Sequence, residues 1–259
     1  MAQVSFTFTG KIALLTGASL GIGAETARHF AASGCCLSLV GRNEERLKKV
    51  GEECEEKGID KDHVLLIIAD LRKESEVYRI VKSTMSHFGK LDILVNCAGN
   101  YKVGDILHST IDQYDDIMQV NLRSVVHLTK LCVPHLILSK GNIVNVSGTS
   151  GTRPMANFYI CSMCKAAINQ FTSVAALELA SKHVRVNAVN PGTILTPIHE
   201  TAGLSLSNVI KTAESYPLGS AGNPSEVAKA ILFMASDGAS FTTGETLDVS
   251  GGRMCSCPH

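Results

Sequence analysis

"KIALLTGASLGIGAETARHF", residues 11–30, decides the fold. Its first six residues are almost wholly apolar, as a strand covered on both sheet faces requires. Glycines at 17, 21 and 23 follow at once, and a segment of helical period begins at residue 22. A glycine-rich turn between strand and helix allows a tight bend and close backbone approach to a pyrophosphate. The helix N-terminus then offers its N–H groups to the anion. A glycine cluster alone only punctuates a strand; on the first strand–helix turn it points to a nucleotide.

Outward from this turn, apolar runs recur at 35–40 (CCLSLV), 63–69 (HVLLIIA), 91–96 (LDILVN), 141–147 (GNIVNVS), 183–190 (HVRVNAVN) and 245–249 (ETLDV). Between them, helical patterns fall at about 22–33, 43–57, 73–88, 112–139, 158–181 and 224–236. Repeated strand–helix–strand units predict an α/β fold of Rossmann type. Its doubly wound parallel sheet would carry helices on both faces, joined by right-handed crossovers. No linker, repeat or low-complexity segment divides the chain, so residues 1–259 read as a single domain. The least regular stretch, 196–224, follows the sixth strand, where a loop can cover a ligand.

Composition narrows the function classes. Hydrophobic residues make up 45% and charged residues 19%, a balance that excludes a disordered chain. Lys+Arg and Asp+Glu both number 24, so no net charge draws the chain to nucleic acid. The N-terminus shows no basic region followed by an apolar one, and no apolar run is long enough to cross a membrane. Nine scattered cysteines suit reduced thiols in the cytoplasm better than a disulfide framework. The nine histidines show no metal-ligand spacing, and no metal site is assigned.

Further motifs stand in the same order. Thr-Gly-x-x-x-Gly-x-Gly (16–23) is followed by NCAG (96–99), by Asn121 within VNLRS, by NPGTILTP (190–197) and by TTGETLDVSGG (242–252). Together they resemble the short-chain dehydrogenase/reductase family over nearly the whole chain. The resemblance implies a nicotinamide dinucleotide held by Gly17, Ser19, Gly21, Ile22 and Gly23 at the first turn. Asp70 and Leu71 would follow the third strand, and Asn96, Ala98 and Gly99 the fourth. Lys165, with Pro191, Gly192, Ile194 and Thr196 after the sixth strand, would complete the site. It also implies a small carbonyl or alcohol substrate and a homotetramer, its interface on the 112–139 and 158–181 helices. Asp70 reads equally as a helix cap. The second strand ends on Gly41 and Arg42, where an acidic residue would receive the adenosine ribose diol. A guanidinium fork suits a 2′-phosphate, so NADP(H) is favoured over NAD(H).

In that family a tyrosine moves the proton, a lysine four residues later supports it, a serine thirteen residues before it polarises the substrate, and an asparagine holds a proton path. KAAINQFTSVAALELA sets Lys165 as the lysine and Asn121 as the asparagine. Four residues before Lys165 stands Cys161, and thirteen before that stands Gly148, so the spacing is kept while both side chains differ. A thiol is shorter than a phenol, and glycine has no hydroxyl. Losing a general acid removes ~10²–10⁴ in rate. Two neighbours are candidate substitutes. Ser147 adjoins Gly148 but faces the other side of a strand, and Tyr159 lies about 200° around the helix from Cys161. Three readings stay open: a cofactor-binding protein with ordinary catalysis weakened or lost, an active reductase with an unusual or water-mediated donor, and thiol chemistry at the Cys161/Cys164 pair.

Overall fold

The computed structural model describes residues 6–255. It contains one seven-stranded sheet, all parallel, with strand order 3-2-1-4-5-6-7. The first half runs β1 (Ile12–Thr16), α1 (Gly21–Ala32), β2 (Cys36–Gly41), α2 (Glu44–Glu55), β3 (Val64–Ile68), α3 (Glu74–Phe88) and β4 (Ile93–Asn96). Then come α4 (Ile111–Met118), α5 (Ser124–Ser139), β5 (Asn142–Val146), α6 (Tyr159–Leu179) and β6 (Arg185–Pro191). The chain ends with α7 (Ile198–Thr201), α8 (Leu206–Glu214), α9 (Pro224–Ala235) and β7 (Thr246–Val249).

Strand side chains alternate between two cores. Ala13 and Leu15 of β1 join Phe30 of α1, Leu47 of α2 and Ile231 of α9 on one face. Ile12 and Leu14 join Ile80 of α3, Leu128 of α5 and Ala175 of α6 on the other. This period of two, with both faces covered, is why the strands read as unbroken apolar runs. Burying one such leucine contributes about 1.5–3 kcal/mol.

Two segments differ from the sequence expectation. The helix expected over 112–139 is interrupted by a π-helical segment, Gln119–Arg123, with Asn121 at its centre. The Asn121 side chain accepts the Asn100 N–H (2.8 Å) and donates to the Asn100 carbonyl (2.6 Å). Those bonds tie the widened turn to the loop after β4. The 196–224 stretch is more ordered than its composition suggested, since it contains α7 and α8; Ser205 caps α8 by accepting the Asn208 N–H.

Strand order sets the position of the site. From β1 the chain runs outward through β2 and β3, then returns to β4 on the other side of β1. The loops leaving β1 and β4 therefore diverge at the C-terminal edge of the sheet, which opens a crevice there.

Candidate active site

A cavity of about 990 Å³ occupies that crevice. Its floor is the glycine turn. Gly17 has φ +68°, and a Cβ there would stand 2.8 Å from Ala98 Cα. A Cβ on Gly23 would meet the Gly17 carbonyl oxygen at 2.2 Å. Thr16 Oγ1 accepts the N–H groups of Cys97 and Ala98, both at 3.1 Å, and so locks β1 to the loop after β4. The first turn of α1 carries no acidic residue, and no side chain caps it from Leu20. Its N–H groups are thus left to an anion, the feature a pyrophosphate requires.

Most expected cofactor residues line this cavity. Gly17, Ser19, Gly21, Ile22 and Gly23 do so at the first turn, as does Arg42 at the rim. Asp70, Leu71, Ala98 and Gly99 form the next wall, and Lys165, Pro191, Gly192, Ile194 and Thr196 the far one. Asn96 does not. It is buried beside its sheet neighbour Asn145, its amide donating to Asn145 Oδ1 (2.9 Å) and Thr129 Oγ1 (3.2 Å). Asn96 therefore fastens β4 to β5 beside the site. The Asp70 carboxylate accepts both the Arg72 backbone N–H and its guanidinium, which hold it below the usual carboxylate range; Arg72 reaches on to Asp116. Asp70 thus closes its own turn instead of capping α3, whose N-cap position is Lys73.

The rim beside β2 carries Arg42 and Arg46. A Cβ on Gly41 would come within 3.0 Å of Ser19 Cβ and 3.3 Å of Leu47 Cδ1, leaving little room for an acidic side chain. Arg46 escaped the sequence reading because it becomes a wall residue only after Asn43 caps α2 by accepting the Arg46 N–H (2.8 Å).

On the far wall, Lys165 Nζ donates to the Val146 carbonyl at 2.9 Å. Ser147 is buried and its hydroxyl donates to the Lys165 carbonyl at 3.0 Å. Gly151 presses against α6, since a Cβ there would meet Lys165 C at 2.6 Å. Around Gly148 the contacts are ordinary: the nearest atoms to a Cβ would be Lys165 Cγ at 3.6 Å, Lys165 Cε at 3.8 Å and the Pro191 oxygen at 3.8 Å. Its φ of 173° is extended backbone open to any residue. Cys161 lines the cavity, with Ser150 Oγ 4.0 Å from its sulfur. Tyr159 is outside the lining and packs with Tyr114, Met118 and Ile117. Asn121 is likewise outside it, its amide spent on Asn100.

The Cys161/Cys164 pair divides between two environments. Cys164 is fully buried, donates to Met118 Sδ at 3.1 Å, and has its thiol pushed up to about 11 by burial. A buried, protonated thiol is inert. Among the described residues no group of three metal-binding side chains gathers, and no helix is long and apolar enough to cross a membrane. Two cavity residues that no motif marks, Tyr101 after β4 and His199 in the 196–224 stretch, hydrogen-bond to each other.

Residues 17–253 match a family profile described as enoyl-(acyl carrier protein) reductase. The chain is 34% identical over 257 residues to the mouse (Mus musculus) L-fucose dehydrogenase, covering 97% of this chain and 91% of that protein. It is 35% identical over 249 residues to the 3-oxoacyl-(acyl-carrier-protein) reductase of Thermotoga maritima, covering 95% and 98%. A cofactor-bound short-chain dehydrogenase/reductase of unknown function from Caenorhabditis elegans superposes with a TM-score of 0.90 at 34% identity, covering 96% of this chain and 97% of that one. A 7α-hydroxysteroid dehydrogenase complexed with NADH and 7-oxo glycochenodeoxycholic acid gives a TM-score of 0.90 at 28% identity, covering 96% of each chain.

Proposed function

Because the chain belongs to the short-chain dehydrogenase/reductase family, whose members bind nicotinamide cofactors, we propose that it is an NADP(H)-binding member in which ordinary proton-coupled hydride transfer is weakened or lost. When bound, the nicotinamide supplies or accepts the hydride. The chain's own groups must bind it, orient the substrate and move the proton. The first task is the one the cavity's lining supports. The uncapped α1 terminus fits the pyrophosphate, Lys165 faces the cavity, and Arg42 and Arg46 stand where a 2′-phosphate would need cations. No carboxylate at residue 41 competes for the ribose diol.

The single observation that carries the loss is the far wall. In register with the family's tyrosine and serine stand Cys161 and Gly148, and a Cβ at 148 would meet its nearest neighbours at ordinary contact distances. Ser147 does not replace it, because its hydroxyl is committed to the Lys165 carbonyl. Tyr159 does not replace the tyrosine, because it lies in the apolar cluster with Tyr114. Lys165 accordingly has no phenol one helical turn before it. The ~10²–10⁴ that a positioned acid contributes is missing on this wall. We place the whole chain in this role as one domain of a homo-oligomer, in the cytoplasm that its nine cysteines suit.

Calorimetric titration with NADPH and NADH tests the binding half. NADPH should bind, and more tightly than NADH. A chain that binds neither refutes the proposal.

A further inference from the structure

We infer that Tyr101 and His199 form a proton-donating pair in the cavity that Lys165 also lines, and that carbonyl reduction by this protein runs through that pair. The inference rests on the cofactor-binding reading above. It concerns two residues from separate segments: Tyr101 lies in the loop after β4 and His199 in α7.

Hydrogen bonds fix the pair's chemistry. His199 Nε2 lies 2.7 Å from the Ile194 carbonyl oxygen, which only accepts, so Nε2 carries a proton. In the neutral ring Nδ1 is then an acceptor, and the Tyr101 hydroxyl donates to it. The Tyr101 ring also stands 5.5 Å from that of Phe158, the residue before α6, and the Gly104 N–H donates to Asn157 O at 2.9 Å. The loop after β4 is thereby fastened to the start of the helix that carries Cys161 and Lys165. Both members of the pair line the same cavity as those residues. Tyr101 is near enough to Cys161 that a thiolate there would oppose its ionisation; with burial as the larger cause, the phenol is pushed up to about 12. His199, in hydrogen-bond contact with the phenol, is placed to replace a proton the phenol gives up.

The step balances as follows. A proton from solvent charges the imidazole, so that Nδ1–H donates to the phenol oxygen and the phenol O–H turns to the substrate carbonyl. As the carbonyl carbon gains hydride, its π pair moves to oxygen. That oxygen takes the phenol proton, and the phenol takes the Nδ1 proton. The products are an alcohol and the neutral pair, Tyr101 donating to Nδ1, which is the arrangement in this structure. The net consumption is one hydride and one solvent proton per carbonyl.

The test uses NADPH with 4-nitrobenzaldehyde as probe. It compares the natural chain with Tyr101→Phe, His199→Gln and Tyr78→Phe, the last removing a phenol beside His127 outside the cavity. NADPH binding to each is followed by fluorescence. Slow consumption by the natural chain, about a hundredfold loss of kcat at unchanged KM in Tyr101→Phe, and a smaller solvent isotope effect in His199→Gln are expected. Tyr78→Phe should behave as the natural chain. In cofactor-free protein, ¹⁵N NMR should show the Nε2–H tautomer of His199, with Nδ1 shifted by Tyr101→Phe. Consumption that survives Tyr101→Phe, or none in a natural chain that binds NADPH, overturns the pair and leaves the binding proposal standing. Failure to bind NADPH overturns both.

Discussion

Arg42→Ala offers a quantitative test of cofactor choice. Arg42 is exposed at the cavity rim, with no ion pair of its own among those between described residues. Its charge also helps hold the Asp70 carboxylate low, so the phosphate interaction is read from the difference between the two dinucleotides. A charge-assisted hydrogen bond contributes about 1.5–3 kcal/mol. At 1.4 kcal/mol per factor of ten, that is a ~10–100-fold loss of NADPH affinity. The lower half of that range is expected, because Arg46 lines the same rim and retains part of the attraction. NADH lacks the 2′-phosphate, so its Kd should move by less than about twofold. Fluorescence titration of both dinucleotides, at two salt concentrations, reads the effect; the NADPH loss should shrink at high salt. Equal weakening of both dinucleotides, or of neither, would refute the assignment of Arg42 to the phosphate.

Other consequences are more local. Gly23→Ala forces a methyl against the Gly17 carbonyl, 2.2 Å away, and should lower Tm while abolishing binding of both dinucleotides. Asn121→Leu leaves the Asn100 N–H and carbonyl without partners; it should cost about 2–4 kcal/mol in urea unfolding, more than an exposed asparagine elsewhere would. The Asp70 carboxylate is held low by Arg72, so it contributes stability above the carboxylate's ordinary pKa and loses it as pH falls through the depressed folded value. Arg72→Gln should therefore lower the urea midpoint at neutral pH and leave it nearly unchanged at low pH.

The scaffold was legible because local chemistry and global topology agree. Ala13 and Leu15 alternate with Ile12 and Leu14 between two cores, so the apolar run at 11–16 could only be a doubly covered strand. Glycines 17, 21 and 23 announced the nucleotide turn because backbone approaches there exclude any Cβ or require positive φ. Tyr159, a candidate substitute donor by its nearness to Cys161, packs toward α4, as its position around α6 requires. What escaped depends on contacts remote in sequence. The π-helical turn at Asn121 is tied to the Asn100 backbone, 21 residues away. The NCAG motif points Asn96 at the cofactor, yet its amide faces Asn145 because the two are register partners in adjacent strands. Tyr101 and His199 are 98 residues apart, and neither sits in a motif. Only the convergence of two loops over the cavity makes them a pair.

The central claim is that an intact dinucleotide scaffold has lost its ordinary proton donor. NADPH consumption over a panel of small carbonyl compounds, natural chain against Gly148→Ser/Cys161→Tyr, tests it most directly. The serine has room, since only ordinary contacts of 3.6–3.8 Å surround its Cβ, and residue 161 already lines the cavity. The double variant should consume NADPH at least ~10²-fold faster, with NADPH affinity unchanged. A natural chain that turns over as fast as the double variant would contradict it.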